Sequence, residues 1–382
     1  MGRIKAGPSP RSQQGPGARV QRGFSYDSRV ALALRIVSNW LGFPLEVKRC
    51  KLTSMDIKPE ILDGSDPTSV ERAVTLLREG GLVAFPTETV YGLGADALNA
   101  LAVARIFELK RRPHFDPLII HISRKEWVNR YTKNVPAHAQ KLMDRFWPGP
   151  LTIILEKRPL VPDIVTSGLA TVAVRMPSHP VALDLIDRLG QPVAAPSANP
   201  FGYVSPTKAA HVARMFAGKL PVILDGGSST FGLESTIVSV RDGQVVLHRH
   251  GAVSLEELVE VVGEVHEKGG DSVIDSPGQL PYHYAPHKPL KIIRGPEEIT
   301  TPESSFLAFR TPSLKPASRR VRTLSPGGDL REAAANFFSF LIELDREDVD
   351  IIFAEQLPEL GLGKAMMERL KKAARKDTLV TH

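Results

Sequence analysis

Apolar residues follow two kinds of repeat from about Asp66 onward: short runs typical of buried strands, and three- or four-residue spacings typical of helices. The first helical spacing runs from Val70 to Leu77 and predicts a helix with one buried face. Thr68 and Glu71 flank its start in the pattern of a capping box, with Thr68 as the N-cap. The organised part of the chain is therefore predicted to begin with this helix.

Strands and helices then alternate along the chain. The first strand leads into a predicted turn at Thr87–Gly94 and a helix at Asn99–Lys110, which Pro113 stops. Ser205 and Pro206 predict the start of a later helix, with serine as its N-cap and proline at its first position. Apolar runs predict strands at Leu82–Phe85, Pro117–Ile122, Leu151–Leu155, Thr171–Arg175, Val193–Ala195 and Val222–Leu224.

A hairpin and a second capped helix end this region. The Asp-Gly pair at 242–243 is a two-residue turn typical of a hairpin, and it joins the predicted strands Thr236–Val240 and Gln244–Arg249. Ser254 opens a second capping box, for a helix that ends near Gly263.

Composition changes between Glu264 and Lys288, where prolines and glycines are frequent and no apolar repeat is visible. This segment predicts a linker. Beyond it, the spacings within residues 330–344 and 363–376 predict helices that alternate with strands, which is typical of a small α/β domain. These strands are predicted near Leu290–Ile293, Phe306–Phe309 and Val349–Phe353.

The length of the chain agrees with two domains, because 382 residues exceed one ordinary core. We predict an extension at residues 1–60, an α/β domain at 64–263, a linker at 264–288 and a smaller α/β domain at 289–382. No apolar stretch approaches the ~18 residues that a membrane-spanning helix needs, so no membrane partner is expected. The single cysteine, Cys50, excludes an internal disulfide and a cysteine-built metal site.

The net charge of +7 suits an anionic partner, but much of the excess lies in the extension. Residues 1–50 contain nine Arg and Lys against two Asp and Glu. Such a start, with a predicted amphipathic helix at Ser28–Phe43, is typical of an organelle transit peptide. A dispensable extension upstream of a true start at Met55 is the alternative. We therefore predict a cytoplasmic protein, or a mitochondrial or other organellar one if the extension is a transit peptide.

Two stretches carry candidate chemistry. Lys110 and Arg112 stand at a helix end, where cations complement the helix dipole and a rigid turn at Pro113 would also project a guanidinium toward an anion. After the strand at Val193–Ala195, small residues up to Asn199 would let a ligand approach the backbone at the carboxyl end of a strand. No P-loop, HExxH or CxxC motif occurs, so a nucleotide would bind without a P-loop and a metal would arrive with it.

Taken together, these blocks resemble the threonylcarbamoyl-AMP synthase family in its long, two-domain form. The resemblance covers about residues 66–382 and rests on PTETVYGLGADA, KRRP, DPLIIHI, FWPGPLT, VAVRMPSHP, APSAN, SPT, LDGG, GLESTIV, HRHGAV, SPG with HYAP, and GLGKAMMERLKKAAR. It implies an α/β fold with a twisted, open, mixed sheet of the YrdC-like type and a second, smaller Rossmann-like domain. It also implies that the linker folds over the active site.

The resemblance implies a nucleotidyltransferase that makes threonylcarbamoyl-AMP and pyrophosphate from L-threonine, bicarbonate and ATP, with Mg²⁺ bound together with ATP. The product would pass to a threonylcarbamoyl transferase complex that modifies the adenosine next to the anticodon of tRNA, so tRNA is a further candidate partner. The carbamate formed from threonine and bicarbonate would attack the α-phosphorus. That displacement needs alignment and charge neutralisation more than an acid–base pair.

Carried over by motif, the resemblance implies the following site residues, with Asn199 in support. Catalysis would use Lys110 and Arg112. Threonine would be held by Thr89, His121, Arg175, Ala195 and Ser235. ATP would be held by Arg112, Asp116, Thr171, Ser197, Ser205, Arg249 and Tyr284. Arg175 suits the threonine carboxylate through a bidentate ion pair.

Two other functions fit part of the pattern. A basic concave surface could bind double-stranded RNA or tRNA without catalysis, but aromatic residues are only 6% and much of the charge lies in the extension. Carbamoyl transfer in hydrogenase maturation uses a related domain, but this chain lacks the cysteine motifs of the accompanying zinc-finger segment. The synthase is therefore the favoured function.

Overall fold

The computed structural model describes residues 59–268 and 283–375. Most of the predicted extension, including its amphipathic helix, and the SPG block of the linker lie outside the described residues. No helix in the described part of the chain is long and apolar enough to cross a membrane.

Fifteen strands and ten α-helices are present in the described ranges. The strands are β1 (Glu60–Asp63), β2 (Val83–Phe85), β3 (Gly92–Asp96), β4 (Ile119–His121), β5 (Leu151–Glu156), β6 (Thr171–Arg175), β7 (Val193–Ala194), β8 (Val222–Asp225), β9 (Thr236–Arg241), β10 (Gln244–Arg249), β11 (His266–Glu267), β12 (Leu290–Ile293), β13 (Ser304–Ala308), β14 (Arg320–Thr323) and β15 (Ile351–Glu355). The helices are α1 (Pro67–Arg78), α2 (Ala100–Lys110), α3 (Val128–Tyr131), α4 (Ala137–Phe146), α5 (Asp163–Thr166), α6 (Pro180–Leu189), α7 (Ala209–Met215), α8 (Leu255–Val262), α9 (Leu330–Leu344) and α10 (Gly361–Ala374).

Eleven strands form one mixed sheet in the order β1-β8-β2-β3-β7-β4-β6-β5-β9-β10-β11. The apolar faces of α1, α2, α4 and α6 are buried in one cluster with residues of the central strands. This burial follows from the helical spacing of their apolar residues, and it leaves the opposite face of β4, β6, β5 and β9 outside the main core.

The strand register places two rows of side chains on that second face. One row runs through His121, Arg175, Thr152 and Ile237, and the neighbouring row runs through Ile119, Ala173 and Ile154. Ile119, Ala173, Ile154 and Ile237 form a small apolar cluster of their own. Polar side chains at the strand ends therefore stand beside an apolar floor on one sheet face.

The C-terminal part of the chain forms a second, parallel sheet in the order β12-β15-β13-β14. Its core, built with α9 and α10, also includes Val90, Tyr203, Leu233 and Tyr284. A large mixed sheet with a second, smaller parallel sheet is confirmed as the fold class. The edge strand β14 was not predicted. Its sequence, Arg320–Thr323, alternates arginine with other residues and is only partly buried, so it lacks an apolar run.

Two predicted helix starts differ from the structure. α1 begins at Pro67, and Asp66 is its N-cap, since its carboxylate accepts from the Thr68 and Ser69 amides. The prediction of Thr68 as the N-cap is therefore wrong. Proline is well suited to the first helical position, so the helix begins at Pro67 and the N-cap is Asp66. The capping box at Ser254 and Glu257 is confirmed.

The helix predicted to start at Ser205 begins at Ala209 instead, with Lys208 at its N-cap. Ser205 is wrong as an N-cap because its hydroxyl donates to the Glu234 carboxylate, 2.5 Å away. The predicted turn at 87–94 is also shorter, because residues from Gly92 onward pair with β2. A Cβ at Gly94 would lie 2.8 Å from the Phe85 ring, so close packing rather than a turn requires that glycine.

Candidate active site

A cavity of about 50 Å³ lies at the ends of β4, β6 and β10, beside the segment just before β9 and residues 283–284. Nine of the thirteen residues assigned from the sequence line it: Thr89, Arg112, His121, Arg175, Ala195, Ser197, Ser235, Arg249 and Tyr284. Four do not: Lys110, Asp116, Thr171 and Ser205. Separate strand ends and loops therefore bring most of the assigned side chains together.

Arg175, at the end of β6, is fixed by three contacts. Its Nε donates to the Gly149 carbonyl (3.3 Å), its Nη1 to the Thr89 hydroxyl (2.9 Å) and its Nη2 to the Glu88 carboxylate (2.6 Å). A guanidinium has five N–H donors, so one on each terminal nitrogen has no partner among the described residues. Two such donors on the wall of a cavity suit a carboxylate.

Glu88 and Thr89 reach Arg175 because the turn between β2 and β3 is held rigidly. The Thr87 hydroxyl accepts from the Val90 amide (3.2 Å) and donates to the Val90 carbonyl (2.6 Å). The second Glu88 oxygen accepts from the Ser178 amide at 3.1 Å. Glu88 was not assigned from the sequence, because the PTETVYG block gives no sign of its partner.

His121 ends β4 beside Arg175 in the strand register. It is buried, and its Nδ1 has no hydrogen-bond partner among the described residues. Burial and the nearby Arg175 charge lower the pKa of His121 to about 3. The ring is therefore neutral near pH 7 and can exchange a hydrogen bond with a ligand without adding a charge.

Arg249 reaches the cavity because of a β-bulge. The register between β9 and β10 shifts between Leu247 and Arg249, so Leu247 stays in the main core while Arg249 faces the cavity. Its Nε and Nη2 donate to the Ser235 carbonyl at 3.0 and 2.8 Å. The Ser235 hydroxyl is 2.8 Å from the Thr152 hydroxyl, which fixes the start of β9.

Arg112 follows α2 after Arg111, which adopts a left-handed conformation (φ 55°) and caps the helix. The Arg112 guanidinium donates to the carbonyls of Asp116 (3.0 Å) and Pro117 (2.9 Å) and pairs with the Asp116 carboxylate at 2.9 Å. Burial raises the pKa of Asp116, opposed by the Arg112 charge. Asp116 lies behind Arg112, and only Arg112 lines the cavity.

Lys110 is also set back from the cavity. Its ammonium donates to the carbonyls of Ser197, at 2.6 Å, and Asn199. Asn199 in turn donates to the Tyr203 carbonyl at 2.8 Å. Burial, reinforced by the Arg112 charge, lowers the pKa of Lys110 well below its usual value. Lys110 therefore holds the loop that carries Ala195 and Ser197.

The cavity wall is cationic. Its charged residues are three arginines, Arg112, Arg175 and Arg249, and one carboxylate, Glu234. Glu234 accepts from Ser205 and pairs with Arg369 at 2.7 Å, so Ser205 contacts the wall through one hydrogen bond. Neither Glu234 nor Arg369 was assigned from the sequence, although both lie in blocks that carry the resemblance.

Thr171 lies four residues before Arg175 on β6, which corresponds to about 13 Å along the same sheet face. The apolar row containing Ala173 lies between them. At the other side of the cavity Tyr284 has a left-handed backbone (φ 63°), and its ring stacks on Phe338 of α9 at 5.7 Å. The C-terminal core thereby holds Tyr284 against the site.

Metal-binding side chains do not cluster in the described ranges. No group of three or more His, Cys, Asp or Glu residues there could hold a metal ion.

Comparisons with known proteins identify relatives of this chain by sequence and by structure. Residues 75–251 match a family model described as telomere recombination, and residues 253–375 match one described as threonylcarbamoyl-AMP synthase, C-terminal domain. The threonylcarbamoyl-AMP synthases of Pyrococcus abyssi and Bacillus subtilis are 44% and 42% identical, over 79% and 84% of this chain and 93% and 96% of theirs.

A solved structure extends the comparison to the fold. The crystal structure of P. abyssi Sua5 complexed with L-threonine is 43% identical, with a TM-score of 0.74 over 80% of this chain and 94% of that one. Similarity at this level spans both sheets and nearly the whole length of each relative. The chain belongs to the threonylcarbamoyl-AMP synthase family.

Proposed function

We propose that this protein makes threonylcarbamoyl-AMP and pyrophosphate from L-threonine, bicarbonate and ATP. The observation that carries this proposal is Arg175, a buried guanidinium fixed by Glu88, Thr89 and Gly149 with two donors left on a cavity wall. A free amino acid presents its carboxylate to such a pair. The names of the relatives, and the threonine in the P. abyssi complex, support threonine as that amino acid.

Threonine would bind with its carboxylate on Arg175 and its polar groups near Thr89, His121 and Ser235. The Ala195 amide already donates to the Ile119 carbonyl at 3.0 Å, so Ala195 would offer its carbonyl. A carbonyl acceptor suits the threonine amino group. Neutral His121 adds no positive charge beside that amine.

ATP would enter as its magnesium complex, with the ion held by the triphosphate. Arg112 and Arg249 would face the phosphates, with Ser197 and Tyr284 beside them and Lys110 and Asn199 supporting the loop. The nucleoside would extend along the open sheet face over the Ala173 row toward Thr171. Asp116 and Ser205 would act through Arg112 and Glu234.

In the reaction, the threonine nitrogen bonds to the carbon of bicarbonate and water leaves, which gives a carbamate. A carbamate oxygen then bonds to the α-phosphorus, and the bond to the β-phosphate oxygen breaks to release pyrophosphate. The site would supply alignment and positive charge around the phosphates. The product would be consumed by a threonylcarbamoyl transferase complex acting on tRNA, in the cytoplasm or in an organelle.

The proposal is tested by pyrophosphate release. The wild-type protein should release pyrophosphate only when ATP, threonine and bicarbonate are all present, and mass spectrometry should identify threonylcarbamoyl-AMP. Arg175→Lys should raise KM for threonine about 10- to 100-fold, because lysine keeps the charge but loses the fixed pair of donors.

Arg124→Lys is the matched control, because Arg124 makes a two-point pair with Asp187 on the surface, away from the cavity. It should behave like the wild type. Pyrophosphate release that ignores threonine, or an unchanged threonine KM in Arg175→Lys, would contradict the proposal.

A further inference from the structure

Helix α10 of the C-terminal sheet inserts one side chain, Arg369, among the segments that form the cavity. Arg369 is 2% exposed, which is unusual for an arginine. Its Nε donates to the Glu234 carboxylate at 2.7 Å, and its Nη1 donates to the His250 carbonyl at 3.0 Å. One arginine thus contacts the residue before Ser235 and the residue after Arg249.

Arg369 also contacts Tyr284, which lies at the start of the second described range, residues 283–375. Its guanidinium carbon lies 5.2 Å from the centre of the Tyr284 ring, within the range of a cation–π interaction. Its Nη2 has no hydrogen-bond partner in the described part of the chain. The guanidinium is therefore held between Glu234 and the aromatic face of Tyr284, both of which line the cavity.

Glu234 is the centre of this arrangement. One of its oxygens accepts from Arg369, and the other accepts from Ser205 at 2.5 Å. Since a buried carboxylate is stable only with such partners, the charge of Arg369 fixes where Glu234 lies and where the adjoining main chain runs. Apart from the Ala365 carbonyl of its own helix, Arg369 contacts Glu234, His250 and Tyr284, and it does not contact Arg175, His121 or Thr89.

We propose that Arg369 is a positioning residue through which the C-terminal domain shapes the nucleotide half of the active site, a role that rests on the proposed function. Removing Arg369 should let Glu234 and Tyr284 shift and should displace Arg249. Threonine binding should change less than ATP binding, because Arg175, His121 and Thr89 do not contact Arg369 and only Ser235 of the threonine site adjoins Glu234.

A purely structural role makes a different prediction. Removing Arg369 leaves the Glu234 carboxylate buried without its cation, which lowers stability by itself. Replacing both partners in Arg369→Met/Glu234→Gln removes the unpaired charge and should recover much of that stability. The positioning contact remains lost in the double variant, so stability and positioning can be separated.

The experiment measures kcat, KM for ATP, KM for threonine and the thermal midpoint of Arg369→Met, Arg369→Lys, Glu234→Gln and the double variant. KM for ATP should rise about 10- to 100-fold in Arg369→Met, and by clearly more than KM for threonine. The double variant should regain stability while KM for ATP stays high. Arg369→Lys keeps the charge and provides a folded variant if Arg369→Met does not fold.

Lys364→Met is the matched control, because Lys364 lies on the same helix and pairs with Glu267 of the large sheet, at 2.8 Å, on the surface. It should keep both KM values. The proposal is overturned if Arg369→Met and Arg369→Lys keep the wild-type KM for ATP, or if activity returns together with stability in the double variant. A wild-type protein that releases no pyrophosphate would instead overturn the proposed function and this inference with it.

Discussion

Two cations of the candidate site, Lys110 and Arg249, are oriented by main-chain carbonyl groups, whereas Arg112 and Arg175 pair with the Asp116 and Glu88 carboxylates. Lys110 is held by the Ser197 and Asn199 carbonyls, and Arg249 is held by the Ser235 carbonyl. A carbonyl dipole orients a cation but does not neutralise its charge as a carboxylate would. The motifs in the sequence predicted that Lys110 and Arg249 belong to the site. They could not predict that Lys110 is bound by a carbonyl 87 residues away, because only the tertiary fold brings them together.

The neutral state of His121 gives a prediction about acid stability. Its folded pKa is about 3, whereas a histidine in an unfolded chain titrates near 6.5. Between these values the unfolded chain binds a proton that the folded protein excludes, so the free energy of unfolding rises with pH across this window and levels off above it. His121→Gln should weaken that dependence.

The measurement is urea unfolding at about pH 5 and about pH 8, below and above the unfolded histidine value. The difference in unfolding free energy between the two conditions should be smaller in His121→Gln than in the wild type. His266→Gln is the control, because His266 lies in an exposed strand. An equal difference in the wild type and in His121→Gln would show that His121 does not titrate with folding.

At the scale of elements, the spacing of apolar residues predicted some helix and strand boundaries correctly. It failed where a tertiary contact determines the boundary. Helix α9 was predicted with its observed bounds, Leu330–Leu344, because its apolar spacing is continuous. The helix start at Ser205 was wrong because Glu234, from a distant segment, takes the serine hydroxyl. The bulge that turns Arg249 toward the cavity leaves no sign in the apolar pattern of β10.

The packing of β9 against the chain after β10 gives an element-scale prediction. A Cβ on Gly251 would lie 2.4 Å from both the Glu234 carbonyl oxygen and the Thr236 nitrogen. Both contacts are main-chain atoms, so Gly251→Ala must push the segment that carries Ser235. We expect kcat/KM to fall about 10- to 100-fold and the unfolding free energy to fall by about 1–3 kcal/mol.

Pyrophosphate release and urea unfolding measure these two effects. Gly327→Ala is the matched control, because a Cβ there meets no atom within 4 Å. It should leave both quantities near the wild-type values. Wild-type kcat/KM in Gly251→Ala would mean that the start of β9 tolerates displacement and that its position does not limit the reaction.

At the scale of the whole molecule, the cavity lies beside the junction of the large sheet and the C-terminal domain, because Tyr284 lines the cavity and packs on Phe338 of α9. Residues 283–288 connect the cavity wall to the C-terminal domain. Tyr284 is one wall of the cavity, and its neighbours are bound to the C-terminal domain through Asp345.

Asp345 anchors residues 287–288 to the C-terminal domain. Its buried carboxylate accepts from the Tyr203 hydroxyl (2.7 Å), the His287 amide (2.9 Å), the His287 ring (2.8 Å) and the Lys288 amide (3.0 Å). An asparagine has one acceptor oxygen in place of two, so Asp345→Asn loses at least one of these charge-assisted bonds. Hydrogen exchange at the His287 and Lys288 amides should accelerate about 10- to 100-fold.

Release of this segment should also weaken nucleotide binding, because the apparent affinity falls with the fraction of molecules in which Tyr284 lines the cavity. KM for ATP should therefore rise in Asp345→Asn, together with the faster exchange. Asp348→Asn is the control, because Asp348 pairs with Arg320 on the surface and does not bind residues 283–288. Faster exchange with an unchanged KM would mean that the position of this segment does not contribute to binding, and unchanged exchange would mean that Asp345 is not its anchor.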